Sequence, residues 1–529
     1  MDREINIDPI RALEEQVKEH ERAIIKLKRA RNSLLNVSRL PSEVLGNILA
    51  WNVILRGDFD GLERGSHNFL LVCFHWFEVA SRTPALWAFW GNNLEDWEKR
   101  HLRSSPGAPL DLVLDAVSYT IGSVSESQQA VLKDRAGRDT IRRVHLKSTM
   151  SSLLASIISP LLSSGGGLQT NSLESLILDN KDNTPLDASF FARSSLSKLR
   201  HLELSGCKVT SWDHSTSQTT LLTTLQLFFD ETSPAPTVPQ LLSMLASNPH
   251  LRKLVLNARA IPDGDGHGHG SSPVPLRHLE SLSLEGDTGQ VFGLLRCLEH
   301  PRKLNMLKLR LLHCTVTDVS QTIVPHLRDY TKSCGTSSSA LGLSHSSHRC
   351  ITLAVGTSRP STSLWPRVFW FVLITMRFNQ ALPEDALTEL ALNLTSYAPR
   401  QEISYFQTQG NLGAMMDLRA QMPNLKVLDL RHVPLSAMFL KPERGGSRVC
   451  EIFPPSLQYL LLERPHLDAR GWSPLITFLS HRSSSGNQLD SLLIHGSSHV
   501  CPRVAEAIRD VVRKLEVGKG CLQSRCPCG

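Results

Sequence analysis

Apolar residues recur on alternating steps of three and four near the start of the chain, at Ile10, Leu13, Val17, Ile24, Leu27 and Leu34. That spacing sets one apolar stripe along a helix. His20 and Arg31 occupy the two remaining seam positions; polar seam residues lower the stability of a coiled coil without forbidding it. Residues 8–36 are therefore expected to form an amphipathic helix. Two readings stay open: a lone helix lying on the rest of the protein, or a seam for self-association.

A compact apolar segment follows from Leu40 to Trp90, with Trp51, Trp76, Trp87 and Trp90 crowded into it. Its first helix is expected from Pro41, a residue that a first helical turn tolerates. Glu43 complements the positive end of the helix dipole, and Val44, Leu45, Ile48 and Leu49 supply an apolar face. Gly57, Asp58, Asp60, Gly61 and Gly65 then read as a loop. A second helix is predicted from Asn68 to Arg82, closed by Pro84, and a short third element holds Leu86 and Trp87. The segment reads as a three-helix module over 37–100.

Beyond about residue 140 the pattern changes. The strict motif L-x-x-L-x-L begins at Leu173, Leu199, Leu222, Leu251, Leu279, Leu304, Leu387, Leu425 and Leu457, with looser versions at Ile141 and Leu489. Leucine abundance alone predicts roughly two copies of such a repeat signature, not nine. The intervals from Leu173 to Leu304 are 26, 23, 29, 28 and 25 residues, inside the span of leucine-rich repeats. The last two leucines of each copy are two apart, so they share one face of a strand and can stack on the neighbouring copy. Cys207 falls on the ninth position after Leu199; Cys314 does so only if that copy starts at Met306 instead of Leu304. Two stretches interrupt the array, the Gly- and Pro-rich 262–275 and the Ser-rich 331–349, both expected as irregular insertions. The expected fold class is α/β: a heptad helix, a three-helix module, then an irregular leucine-rich-repeat solenoid or horseshoe over 140–515, ending in a flexible tail at 516–529.

Composition narrows the function classes. The chain has 529 residues, 41% hydrophobic and 20% charged, with a mean hydropathy of -0.13, which excludes wholesale disorder. Its net charge of +7 is mild for this length, so no nucleic-acid partner is expected. The start carries acids and no apolar leader core, and the longest apolar run, Val368 to Met376, is too short to span a bilayer. A cytoplasmic or nuclear protein with reduced thiols, without a membrane partner, is the expectation. Phosphate-loop, serine-nucleophile and zincin motifs are absent from the sequence. His495, His499 and Cys501, with Cys521, Cys526 and Cys528 near the end, match no standard zinc spacing. No catalytic residue, metal or cofactor is expected. Residues 301–380 hold ten Lys or Arg against Asp318 and Asp329. Lys308, between Leu307 and Leu309, is expected on the exposed strand face, with Arg310 beside it if the copy starts at Met306. These two are the candidate contacts for an acidic or phosphorylated substrate segment.

The run Leu40-Pro41-Ser42-Glu43, the apolar helix after it, Val72-Cys73-Phe74-His75-Trp76, and the closing Leu86-Trp87 together resemble the F-box. The match covers about 50 residues, in the family's order of Leu-Pro-x-Glu, apolar helix, Val-Cys-x-x-Trp and Leu-Trp. The stretch from Trp51 to Asn68 makes a longer loop than the common pattern. That loop and the preceding heptad helix resemble the large F-box set of mushroom-forming fungi. The resemblance implies a substrate-recognition subunit of an SCF-type cullin-RING ubiquitin ligase, the F-box gripping a Skp-type adaptor, and through it a cullin, while the repeats bind a protein substrate. Carried over by position, the adaptor contacts are Leu40, Pro41, Ile48, Leu49, Val72, Trp76, Leu86 and Trp87. The alternative is a repeat interaction scaffold whose F-box-like segment is a structural cap with no ubiquitin role.

Overall fold

The computed structural model describes residues 8–55, 72–83, 86, 89–90, 109–115, 141–148, 172–180, 185–186, 196–209, 212, 221–230, 234–262, 273–299, 304–334, 340–347, 349–359, 367–383, 386, 389–390, 393–394, 401–409, 422–433, 453–465, 472–496, 500 and 502–518. It is an α/β protein that divides into two compact units, residues 1–218 and 219–529.

In the first unit, helix α1 (Asp8–Ser33) leads through a 3-10 turn, Asn36–Arg39, to α2 (Ser42–Leu55) and α3 (Phe74–Ser81). Pro41 sits just outside α2, where its carbonyl accepts the Leu45 N–H at 3.0 Å, a bond that needs no N–H from proline. α2 and α3 pack around Leu45, Leu49, Ala50, Val79, Ala80 and Leu86, with Leu40 and Trp76 against this core. Gly46 permits the close approach, because a Cβ there would lie 2.8 Å from Thr83 Oγ1. The Thr83 hydroxyl in turn donates to the Val79 carbonyl at 2.8 Å and closes the end of α3.

Strands β1 (Phe89–Trp90), β2 (Leu110–Asp115), β3 (Ile141–Ser148), β4 (Ser175–Asn180) and β5 (His201–Ser205) then pair in parallel, each with the next. The ladder thus begins before residue 140, earlier than the leucine motif suggests. Across it Leu112, Val144, Leu176 and Leu202 stand in one register row, and Leu114, Leu146, Leu178 and Leu204 in the next.

The second unit repeats the scheme with helices between strands. β6 (Thr224–Phe228), β7 (Lys253–Leu256), β8 (Ser281–Asp287) and β9 (Met306–Cys314) run parallel, connected through α4 (Val238–Ala246) and α5 (Thr288–Arg296). Thr237 caps α4 and exchanges hydrogen bonds with Gln240, the capping box that an isolated helix start needs. Beyond β9 comes α6 (Val324–Cys334), and here the order changes. β10 (Ala340–Ser347), β11 (Cys350–Arg359) and β12 (Arg367–Phe378) form an antiparallel meander. β12 pairs parallel with β9, and β10 pairs parallel with β13 (Tyr405–Gln409). Parallel pairing resumes through β14 (Val427–Arg431), β15 (Tyr459–Glu463), β16 (Ser491–His495) and β17 (Leu515–Val517), with α7 (Ser473–Ser484) and α8 (Pro502–Arg509) as crossovers.

Four expectations are corrected here. The Ser-rich 331–349 is not simply an irregular insertion: Leu341 and Leu343 align with Phe406 and Thr408 of β13, a strand that small, alternating residues can form once both edges are paired. Leu387 lies outside the described residues, but the second leucine of that copy, Leu390, lies in a helical turn and not in a strand. Ala386, Leu390 and Leu394 lie in helical turns, with Leu390 and Leu394 buried, because steps of four fit a helix as well as the motif fits a strand. Buried Ile403, Phe406 and Thr408 take the same spacing further on, and Phe406 and Thr408 are in register with Leu428 and Leu430 of β14. The copy at Leu304, not Met306, sets the β9 register, since Leu282 faces Leu307; Cys314 reaches its buried place through an irregularity after Leu311. Finally, β17 carries the ladder to Val517, into the stretch expected as tail. Most of 262–275 lies outside the described residues, but Val274–Pro275 pairs with Leu298–Glu299.

The strands share their ends as well. The residue two past the second apolar position is left-handed at Gly206 (φ 58°), His432 (φ 51°), Arg464 (φ 45°) and Gly496 (φ 70°). Chirality makes that conformation cost about 1–2 kcal/mol for a residue with a Cβ. At Gly496 a Cβ would also meet the Arg464 side chain at 2.6 Å, whereas nothing lies within 4 Å at Gly289 in α5. Gly496→Ala is expected to lower stability by about 1–2 kcal/mol, and Gly289→Ala to raise it by about 0.5 kcal/mol through helix propensity. Urea-unfolding midpoints of the two variants against the parent check both signs.

Candidate functional site

The six-residue core of the α2–α3 module is too small to enclose all its apolar side chains, so several remain outside. On α2, Val44 and Ile48 are one turn apart and exposed; on and before α3, Val72, Phe74 and Phe77 are exposed. An α3 of eight residues, five of them apolar (Phe74, Trp76, Phe77, Val79 and Ala80), cannot bury them all. The Arg29 guanidinium of α1 lies 4.3 Å from the Phe74 ring centroid and covers it in part. Among the described residues of this module, Val44, Ile48, Val72 and Phe77 therefore remain exposed and uncovered, and apolar groups that join into one patch suit a binding surface.

The structure sorts the carried-over adaptor contacts into three groups. Pro41, Ile48 and Val72 are exposed. Leu40 and Trp76 are half-buried against the core, and the Trp76 indole N–H has no protein partner among the described residues. Leu49 at 1% exposure and Leu86 at 3% are core residues. They hold α2 to the end of α3, so an effect of either on a partner passes through the fold. Trp87 lies outside the described residues. Val44, Phe74 and Phe77 were missed by the motif, although their spacing from Ile48 and from each other, four and three residues, was legible.

On the strands, side chains between the buried rows face outward. Lys308 and Arg310 both do so on β9, alternating with buried Leu307, Leu309 and Leu311. They share this face because β9 is one regular strand through Leu311, so no shift of register is needed. Arg310 is half committed already, with its guanidinium 3.4 Å from Glu285 of β8 directly across the pairing; an exposed pair of this kind contributes about 0–1 kcal/mol. Lys308 stands between Ser283 and Leu373 in the pairing register and makes no ion pair among the described residues.

A second outward cluster was not anticipated. Tyr405, Val427 and Ala340 pack together with Trp370, Val368 and Tyr459 at their side. Trp370 meets Tyr405 edge-on at 6.2 Å between centroids, and its indole lies over Gly342, where a Cβ would approach it to 3.1 Å. Beside them the Tyr405 hydroxyl donates to Asp429 at 2.7 Å. Arg431 donates to the same carboxylate at 2.9 Å and lies 3.3 Å from Glu463. Burial, then the adjacent Asp429, raises the Tyr405 pKa. For Arg431 burial works against the charge, but hydrogen bonding and attraction to Asp429 outweigh it and raise the pKa. Each polar group here is satisfied by another, so the cluster is a closed network. The one sequence signal was the D-x-R inside the repeat at Leu425, between and after its leucines.

Other unusual groups are structural. Arg482 is buried in α7 and donates to the carbonyls of Pro454, Pro455, Leu457 and Asn487, so it ties the helix to the preceding turn; burial lowers its pKa. Burial pushes the Cys207 thiol up to about 12 and the Cys314 thiol up to about 11, which leaves both protonated and weak as nucleophiles. Among the described residues no group of three or more His, Cys, Asp or Glu could hold a metal ion. His499, Cys501, Cys521, Cys526 and Cys528 lie outside the described residues. No helix among those described is long and apolar enough to cross a membrane.

A scan of the chain against protein-family models finds no match, and no curated protein matches it either. The likeness to the F-box therefore rests on the motif residues themselves and on the surface they build.

Removing Arg431 leaves the buried Asp429 carboxylate without its cation. Arg431→Met is expected to cost about 2 kcal/mol, below the usual 3–5 for a buried pair because Arg431 is partly solvated. Adding Asp429→Asn, which removes the charge but can still accept from Tyr405, should recover part of that loss. Urea-unfolding midpoints of the single and double variants check it; a double variant weaker than Arg431→Met alone would refute the network.

Proposed function

We propose that the chain is a substrate receptor: residues 40–86 dock a Skp-type adaptor of a cullin-RING ubiquitin ligase, and the strand ladder is a leucine-rich-repeat solenoid that presents a substrate. The observation that carries this reading is the exposure of Val44, Ile48, Val72 and Phe77 around a six-residue core; Val72 opens the Val-Cys-x-x-Trp run, Phe77 directly follows it, and Val44 and Ile48 lie on the helix that follows Leu-Pro-x-Glu. A module needing only a structural cap gains nothing from apolar side chains left in water, whereas a partner that covers them gains their burial. The solenoid reading is supported by the aligned apolar rows, by the left-handed residue that recurs two positions past them, and by a recurring turn before them. In that turn the N–H of Leu199, Leu251, Leu279, Leu425 or Leu457 bonds to the carbonyl three residues earlier.

On this reading catalysis belongs to the partner enzymes and the chain contributes recognition. Substrate contacts then fall on the outward strand face, where Lys308, exposed and without an ion pair among the described residues, can meet an acidic or phosphorylated segment. Titration of a purified Skp-type adaptor into the full chain by calorimetry tests the proposal. The parent is expected to bind at micromolar concentration or below. Ile48→Asp and Phe77→Asp are each expected to weaken binding about thirtyfold or more, the equivalent of about 2 kcal/mol per anchor, with circular dichroism unchanged because both side chains are already in water. A folded parent that does not bind the adaptor would reject the ligase reading in favour of the scaffold.

A further inference from the structure

The seam of α1 is an apolar surface that no described residue covers. Ile10, Leu13, Val17, Ile24, Leu27 and Leu34 are all exposed. Arg29, which meets Phe74, lies on the back of the helix, opposite the seam. α1 thus leans on α3 by its polar side and turns its apolar stripe outward.

Charge along α1 is strongly uneven. Residues 8–21 carry five acidic and two basic side chains, and residues 22–33 carry five basic and none acidic. We infer that the seam pairs with a second copy of this chain, and that the two α1 helices run antiparallel. In a parallel, in-register pair, acidic half would face acidic half, His20 would meet His20, and Arg31 would meet Arg31 inside the seam. Such like pairs are unfavourable. Turning one helix round places Ile10 against Leu34, Leu13 against Arg31, Val17 against Leu27 and His20 against Ile24 of the second copy. No two polar seam residues then meet, and every layer keeps an apolar member. On one flank Glu14 of each copy comes beside Lys28 of the other, two attractive pairs against the single like pair of Glu21 with Glu21 between them; on the opposite flank the small Ala23 and Ala30 let the helices approach.

The orientation has a signature that no monomer can give. Glu14 and Lys28 are about 21 Å apart along their own helix at ~1.5 Å per residue, too far to interact, and the ion pairs present in α1 use Glu15 with Lys18 and Arg22 instead. Energetic coupling between the two positions can arise only across an antiparallel pair. The test is sedimentation equilibrium of the full chain up to 100 μM. The parent is expected to dimerise, and Val17→Asp with Leu27→Asp to abolish the dimer while helix content is retained, as both side chains are exposed. Glu14→Lys and Lys28→Glu should each weaken dimerisation roughly tenfold, by converting two attractive pairs into repulsive ones, and the double reversal should restore it. A parent that stays monomeric, a dimer indifferent to Val17→Asp with Leu27→Asp, or a double reversal no tighter than either single change would overturn the inference. Adaptor binding by these variants should match the parent, which separates this result from the fate of the receptor reading.

Discussion

The fold depends on one requirement: each strand must bury two side chains two residues apart, in line with the same pair on the strand beside it. Leu176 on Leu202, Leu254 on Leu282, and Leu428 on Leu460 meet it in turn. A parallel strand so placed satisfies its backbone on both sides, and its apolar row is closed only by its neighbours. No single repeat can be stable alone, so spacing, turns and crossovers are all subordinate to that register. The left-handed residues at His432 and Arg464 show the constraint most plainly, because the chain accepts a backbone strained for those side chains to leave the sheet at the same level each time.

The same requirement explains what happens where the motif lapses. Between β9 and β13 the parallel order is broken by a meander, yet Val372 and Ile374 still continue the rows of Leu307 and Leu309, and Leu341 and Leu343 begin the rows of β13. Chemistry can vary if shape and register are kept, which is why Phe406 and Thr408 stand where leucines do elsewhere. Outward positions are under a different rule. There Tyr405, Asp429 and Arg431 close on one another, since a buried carboxylate is tolerable only with its partners in place.

Much of this was legible in the residues. The leucine spacing located most strands, because a period of two within a fixed interval has few other meanings. It misled at Leu390, because Ala386, Leu390 and Leu394 are four apart and suit a helix as well, and it could not see β13, whose apolar row contains no leucine. In the helical module the motif located α2 and α3 but could not tell inside from outside. Leu49 and Ile48 are neighbours in sequence, yet one is sealed in the core and the other lies in water. Which of two adjacent apolar residues faces the core depends on how α3 lies across α2, and that is fixed by the contact of Gly46 with Thr83, a tertiary detail no motif encodes.

On the receptor reading proposed above, the core of the helical module holds an apolar surface open for an adaptor, and the strand ladder takes no part in that contact. Hydrogen–deuterium exchange of the full chain, with and without a purified Skp-type adaptor, tests both halves at once. The account predicts that exchange slows within residues 42–55 and 74–81 when the adaptor is present, and that the amides of 405–409 and 427–431 are slow in both states. Unchanged exchange in the two helices at saturating adaptor, or adaptor-dependent protection confined to the strands, would contradict it.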